Sequence, residues 1–183
     1  MMSPDNTTQL VLALLGFALV AGLLGWSPYG RSVWPPVSMT ALAAAAVVAA
    51  LADELSADRV EMTLLVAVAG LLAVAGGGPL TTRIFAIVDS GQPAVDSITN
   101  AGAILKGGAW IGALERLAVF AGLAAGFPEG VAVVLALKGV GRFPDLRGDS
   151  AAGGATTERF IIGTFTSVLW AAACVGVVAL VRR

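Results

Sequence analysis

Long apolar runs recur from one end of this chain to the other, and no stretch between them is long and polar enough to fold as a separate soluble domain. Such runs fit the length of a bilayer crossing. Charged residues make up 13% of the chain, against roughly a quarter in a soluble domain, and mean hydropathy is +0.88. The reading is a polytopic membrane protein, all helical, folded as a single integral membrane domain over residues 1–183. Helices are favoured because a lipid-facing backbone must satisfy its own hydrogen bonds. The alternation that marks a β-barrel is absent from these runs.

Six apolar segments stand out: Leu10–Trp26, Val37–Ala52, Val60–Ala75, Ile111–Phe127, Val131–Phe143 and Phe160–Val181. The second, third and fifth are short for a span of roughly 20 residues. Six spans are expected, with five plus a re-entrant or interfacial segment as the alternative. The first segment follows Asp5 and no Lys or Arg, so it reads as a retained helix rather than a signal peptide. "GGGP" at 76–79 reads as a helix break. "GDSAAGGATT" at 148–157 reads as a flexible loop.

Several activities are disfavoured. The net charge of −1 gives no footprint for nucleic acid. There is no histidine, which removes the commonest general base and metal ligand. Cys174 is the only cysteine and lies in an apolar run, where a plain packing role is expected. "AGGGPLTTR" lacks the spacing of a phosphate loop. No catalytic residue, cofactor or metal is assigned, and the chain is read as a non-enzyme. A Ser167–Lys138 pair is conceivable, but a hydroxyl in a membrane helix usually bonds its own backbone.

Charges inside the apolar runs are the informative feature. Glu115 and Arg116 are adjacent, and adjacent helical residues point about 100° apart, so each needs its own partner. The turn "FPEG" at 127–130 makes the fourth and fifth helices antiparallel neighbours. Glu115 and Lys138 then lie at similar depth, about 15 to 18 Å from that turn. Arg142 follows on the same face, and the sixth helix brings Glu158, Thr164 and Ser167. These seven residues form the expected polar cluster. It is either an ion-pair clasp between helices or a polar cavity for an ion, proton or anionic head group. Arg116 turns toward another helix, a loop carboxylate or a lipid phosphate.

Ala118, Gly122 and Gly126 form a small-residue face that suits close helix packing, within the chain or in a homo-oligomer. Counting Lys and Arg in the loops puts Arg31, Arg83, Lys106, Arg142, Arg147 and Arg159 on one side and Arg59, Arg182 and Arg183 on the other. The first side is then cytoplasmic, both termini are outside, and the basic side could meet anionic lipid.

Three blocks carry a resemblance: "GGAWIGALERLAVF", "LALKGVGRFPDL" and "ERFIIGTFTSVLWA". Together they resemble a family of bacterial integral membrane proteins of uncharacterised function, and are similar to the C-terminal membrane half of a bacterial domain of unknown function. The match covers about residues 107–173. It falls on Gly112, Glu115, Arg116, Lys138, Arg142, Phe143, Glu158, Gly163, Thr164 and Ser167. Gly139 stands where the family would have serine. The resemblance implies that these polar positions act as one unit, and it implies no activity. From the residues themselves the leading expectation is an ion or small-solute transporter of the cell membrane, inner or plasma. The alternative is a membrane scaffold or subunit that binds a partner protein or anionic lipid.

Overall fold

A computed structural model describes residues 4–52, 54–88, 108–146 and 152–183, with the backbone alone at 4, 142–146 and 152–156. The described residues form six helices and no strand: α1 Pro4–Leu24, α2 Trp34–Leu51, α3 Arg59–Val88, α4 Gly108–Ala124, α5 Glu129–Leu146 and α6 Ala152–Arg182. The protein is a helical membrane bundle. Four helices, α1, α2, α3 and α6, are long and apolar enough to cross a bilayer. Of the other two, α4 carries Glu115 and Arg116 in its middle, and α5 carries Glu129, Lys138, Arg142 and Asp145.

α3 and α6 are the central pair. α1 packs on α2 and α3, α4 lies against both α3 and α6, and α5 is peripheral, packed mainly on α4. No described side chain of α5 is buried. Small residues set the close approaches. Gly22 of α1 lies against Gly76 of α3, where an added Cβ would meet the Gly76 Cα at 3.0 Å. The alanines of α2 do the same for its buried face, with Ala41, Ala45 and Ala49 in the core. This is the packing that membrane helices use, since lipid offers no hydrophobic drive to associate.

Polar side chains close the end of the bundle that holds the N- and C-terminal residues. Thr8 Oγ1 donates to the Ser56 carbonyl. Asp58 and Glu61 form a reciprocal capping box at the start of α3: Asp58 Oδ1 accepts from the Glu61 N–H, and Glu61 Oε2 from the Asp58 N–H. Arg182 donates to the Ala124 carbonyl at the end of α4, and Arg183 to the Ala49 and Ala50 carbonyls at the end of α2. Helix C-termini carry partial negative charge, so both arginines are well placed.

Three sequence expectations need correction. α3 runs unbroken through Gly76–Pro79 to Val88. The polar stretch 148–157 is helical from Ala152 onward, so α6 starts well before the apolar run; residues 148–151 lie outside the described residues. Among the described residues Ala118, Gly122 and Gly126 make no helix–helix seam, so of the two expected partners the one within the chain falls away. Ala118 is exposed, and Gly126 is a cap in the left-handed region, at φ +77°. The Phe127 N–H donates to the Gly122 carbonyl and the Gly126 N–H to the Leu123 carbonyl, which is a Schellman ending. Within the chain, Gly122 and Gly126 serve this turn.

Candidate functional site

Three side chains converge on one stretch of α3. Trp170 Nε1 donates to the Leu72 carbonyl at 3.1 Å. Arg116 donates to the Val74 carbonyl through Nε at 3.1 Å and Nη2 at 3.0 Å. Trp26 Nε1 donates to the Ala75 carbonyl at 2.9 Å. Ala75 is four residues before Pro79, so its carbonyl lacks the N–H that proline cannot supply. The Trp26 indole provides one instead. That is why the "GGGP" stretch stays helical in the membrane: neighbouring groups satisfy what proline leaves open.

The three glycines before Pro79 make room for the same three side chains. A Cβ on Gly76 would lie 2.8 Å from the Trp170 ring, one on Gly77 would overlap Arg116 Cδ, and one on Gly78 would lie 2.8 Å from the Trp26 ring. Each glycine is a seat for one donor. Nothing in the residue pattern of this stretch alone announced that pairing, although the i−4 orphan of Pro79 is a signal that could have led to Trp26.

Glu115 and Arg116 therefore point to different neighbours. Arg116 faces α3. Glu115 faces α5, where its Oε2 accepts from Lys138 Nζ at 2.5 Å. Both are buried, at 5% and 4% exposure. Lys138 Nζ also sits 5.6 Å from the centre of the Phe160 ring, within the range of a cation–π contact.

Between α3, α4, α5 and α6 lies a half-open cavity of about 590 Å³. Its walls include Glu115, Arg116, Lys138, Arg159, Thr164 and Ser167. Gly108 to Arg116 on α4 and Arg159 to Ser167 on α6 each rise about 12 Å, which gives the depth. The cavity enters the bundle from one end and reaches Ser167, halfway along α6. Beyond it the bundle is closed by Leu72, Val119, Phe120 and Trp170, all buried.

Of the seven expected cluster residues, Glu115, Arg116, Lys138, Thr164 and Ser167 line this cavity. Glu158 is exposed and is not on the wall; its neighbour Arg159 is. Arg142 belongs to α5, and its side chain lies outside the described residues. Trp26, Thr81, Phe85 and Gly163 also line the walls; of these only Gly163 was among the positions carrying the resemblance, and none was expected in the polar cluster. Gly163 is there because α3 and α6 touch: a Cβ on it would lie 3.0 Å from the Phe85 ring.

Among the described residues, two buried wall atoms have no hydrogen-bond partner, Glu115 Oε1 and Thr164 Oγ1. Buried polar atoms in native structures are nearly always paired, so both call for a partner in the cavity. Among the described residues no group of His, Cys, Asp or Glu could hold a metal ion. No family profile, curated protein or solved structure matches the chain.

Proposed function

We propose that this protein is a small-solute or ion transporter of the cell membrane, with the cavity between α3, α4, α5 and α6 as its substrate site. The observation that carries this reading is the buried Glu115 carboxylate, one oxygen held by Lys138 and the other without a partner on the cavity wall. An ion-pair clasp accounts for Oε2 alone. It gives no reason for a half-open space of about 590 Å³, nor for an unpartnered Thr164 Oγ1 beside it. Ionisable residues within membrane helices usually face a bundle interior or aqueous cavity and mark a substrate path.

In this reading all six helices span. α4 and α5 tolerate their charges because those charges face the cavity or the near interface, where the cost of insertion falls. The cavity end is cytoplasmic and both termini are outside. The Lys/Arg bias supports that orientation, since the two opposing C-terminal arginines already serve as caps on α2 and α4. α3 lines the cavity at Gly78, Thr81 and Phe85, and Trp26, Arg116 and Trp170 hold its Gly76–Pro79 segment at the cavity floor. Ala118 and Gly122, on α4 but without a helix partner among the described residues, are the face offered to a second copy.

The scaffold reading has one observation in its favour: α5 is peripheral and Lys138 tethers it to α4. Flux of protons, common ions and small organic anions in proteoliposomes separates the two. A folded protein that carries none of them removes the transport reading and leaves the tether.

A further inference from the structure

Arg116 is 4% exposed, and no acidic side chain lies within ion-pair distance of it among the described residues. Its only acceptor there is the neutral Val74 carbonyl. Its neighbour Glu115 is committed to Lys138. A buried guanidinium without a counter-ion is costly. Arg116 nevertheless lines the cavity, where Gly112 leaves room for Nη1: a Cβ there would lie 3.2 Å from that nitrogen. Arg159 adds a second guanidinium at the rim. Among the described residues, Lys138 is paired with Glu115 on the cavity wall, which leaves Arg116 as a buried positive charge without a counter-ion. The same wall presents a lone carboxylate oxygen, Glu115 Oε1, that can only accept, and a hydroxyl, Thr164 Oγ1, that can donate.

We infer that the cavity takes a hydroxyl-bearing phosphate ester, its phosphate countering Arg116, with Arg159 as a further donor to it, and its hydroxyl donating to Glu115 Oε1. This rests on the cavity being the substrate site. Guanidinium groups arriving from α4 and α6 suit a tetrahedral anion, which accepts in several directions at once. Thr164 Oγ1 donates to the same phosphate. The group arrives either as a free ester, such as glycerol phosphate, or as the head group of a glycerol-bearing anionic lipid. The rim admits both. Ile111 and Leu137 line it with 54% and 69% exposure, an apolar edge over which acyl chains can lie.

The test uses the full-length protein in nanodiscs of phosphatidylcholine. Glycerol 3-phosphate and inorganic phosphate are titrated calorimetrically into wild type, Glu115→Gln and Arg159→Ala. In a second arm, wild type and Arg159→Ala are assayed for selective retention of phosphatidylglycerol from mixed lipid. The expected result is tighter binding of the ester than of phosphate. Arg159→Ala weakens both by ~10-fold, the loss of a charge-assisted bond. Glu115→Gln frees Lys138 from its carboxylate, so phosphate binds at least as well as before while the preference for the ester collapses. Retention of phosphatidylglycerol that Arg159→Ala abolishes, with no binding of the free ester, supports the lipid as the source. The inference is overturned if neither the free ester nor phosphatidylglycerol binds, or if an ester that does bind shows no preference over phosphate or keeps that preference in Glu115→Gln. Glu115-dependent flux of some other ion, with neither ligand bound, would sink this inference and leave the transport reading standing. Ester binding without flux would do the reverse.

Discussion

Arg116 reaches back 42 residues in sequence to donate twice to the carbonyl of Val74. This contact joins α4 to α3 at the floor of the cavity, four residues before the Gly78 wall position. It depends on Gly77, whose missing side chain is the space that Arg116 occupies.

Gly77→Ala should therefore dislodge Arg116. The new methyl would overlap Cδ, and the backbone of α3 is fixed by two further indole contacts. Overpacking of this kind costs about 1–3 kcal/mol. Thermal unfolding in detergent is the measurement. Gly176→Ala, where nothing lies within 4 Å, is the comparison and should be neutral or slightly stabilising. Equal melting temperatures for the two variants would show that Gly77 is not a seat for Arg116.

The Trp26 indole stands in for the N–H that Pro79 lacks, so the two residues should be coupled. Trp26→Phe removes one hydrogen bond and should cost about 1 kcal/mol. In a Pro79→Ala background the backbone N–H restored at that position serves the Ala75 carbonyl, and the same Trp26→Phe change should cost less than half as much. A double-mutant cycle on unfolding free energies reads this directly. Strict additivity would contradict the account.

Lys138→Met leaves the Glu115 carboxylate buried with no counter-charge. Removing one member of a buried pair costs about 3 kcal/mol or more. The Lys138 side chain keeps 19% exposure, so the lower end of that range applies. Combining it with Glu115→Gln removes the stranded charge, and the double variant should recover most of the loss. A neutral Lys138→Met would mean that the pair does not hold in the membrane.

Cys174 is fully buried against the core of α6. A membrane-permeant maleimide should label it slowly in the native protein and rapidly after denaturation. Fast native labelling would show that the α6 packing is open. The same thiol then serves as a fold check for every variant named above.

Helix content and the depth match of Glu115 and Lys138 were legible in the sequence, because both follow from run length, a short turn and a fixed rise per residue. The partner of Arg116 was not. Its acceptor is a backbone carbonyl, and backbone acceptors leave no trace in residue identity. "GGGP" misled for a related reason. Glycine and proline weaken an isolated helix, yet Trp26, Arg116 and Trp170 fill and satisfy this segment from three other elements, and tertiary contacts outweigh local propensity. The choice of Glu158 over Arg159 failed on helical phase, since adjacent residues face different neighbours and the register of α6 against α3 is set by Gly163 meeting Phe85.

The most direct test of the transport site is solute flux in proteoliposomes, measured for wild type and Glu115→Gln, with both shown folded by Cys174 protection. Wild-type protein should carry solute, glycerol 3-phosphate first among those tried, and Glu115→Gln should lose most of that rate. Wild-type flux that Glu115→Gln leaves unchanged, or no flux of any solute by folded wild type, would contradict the account.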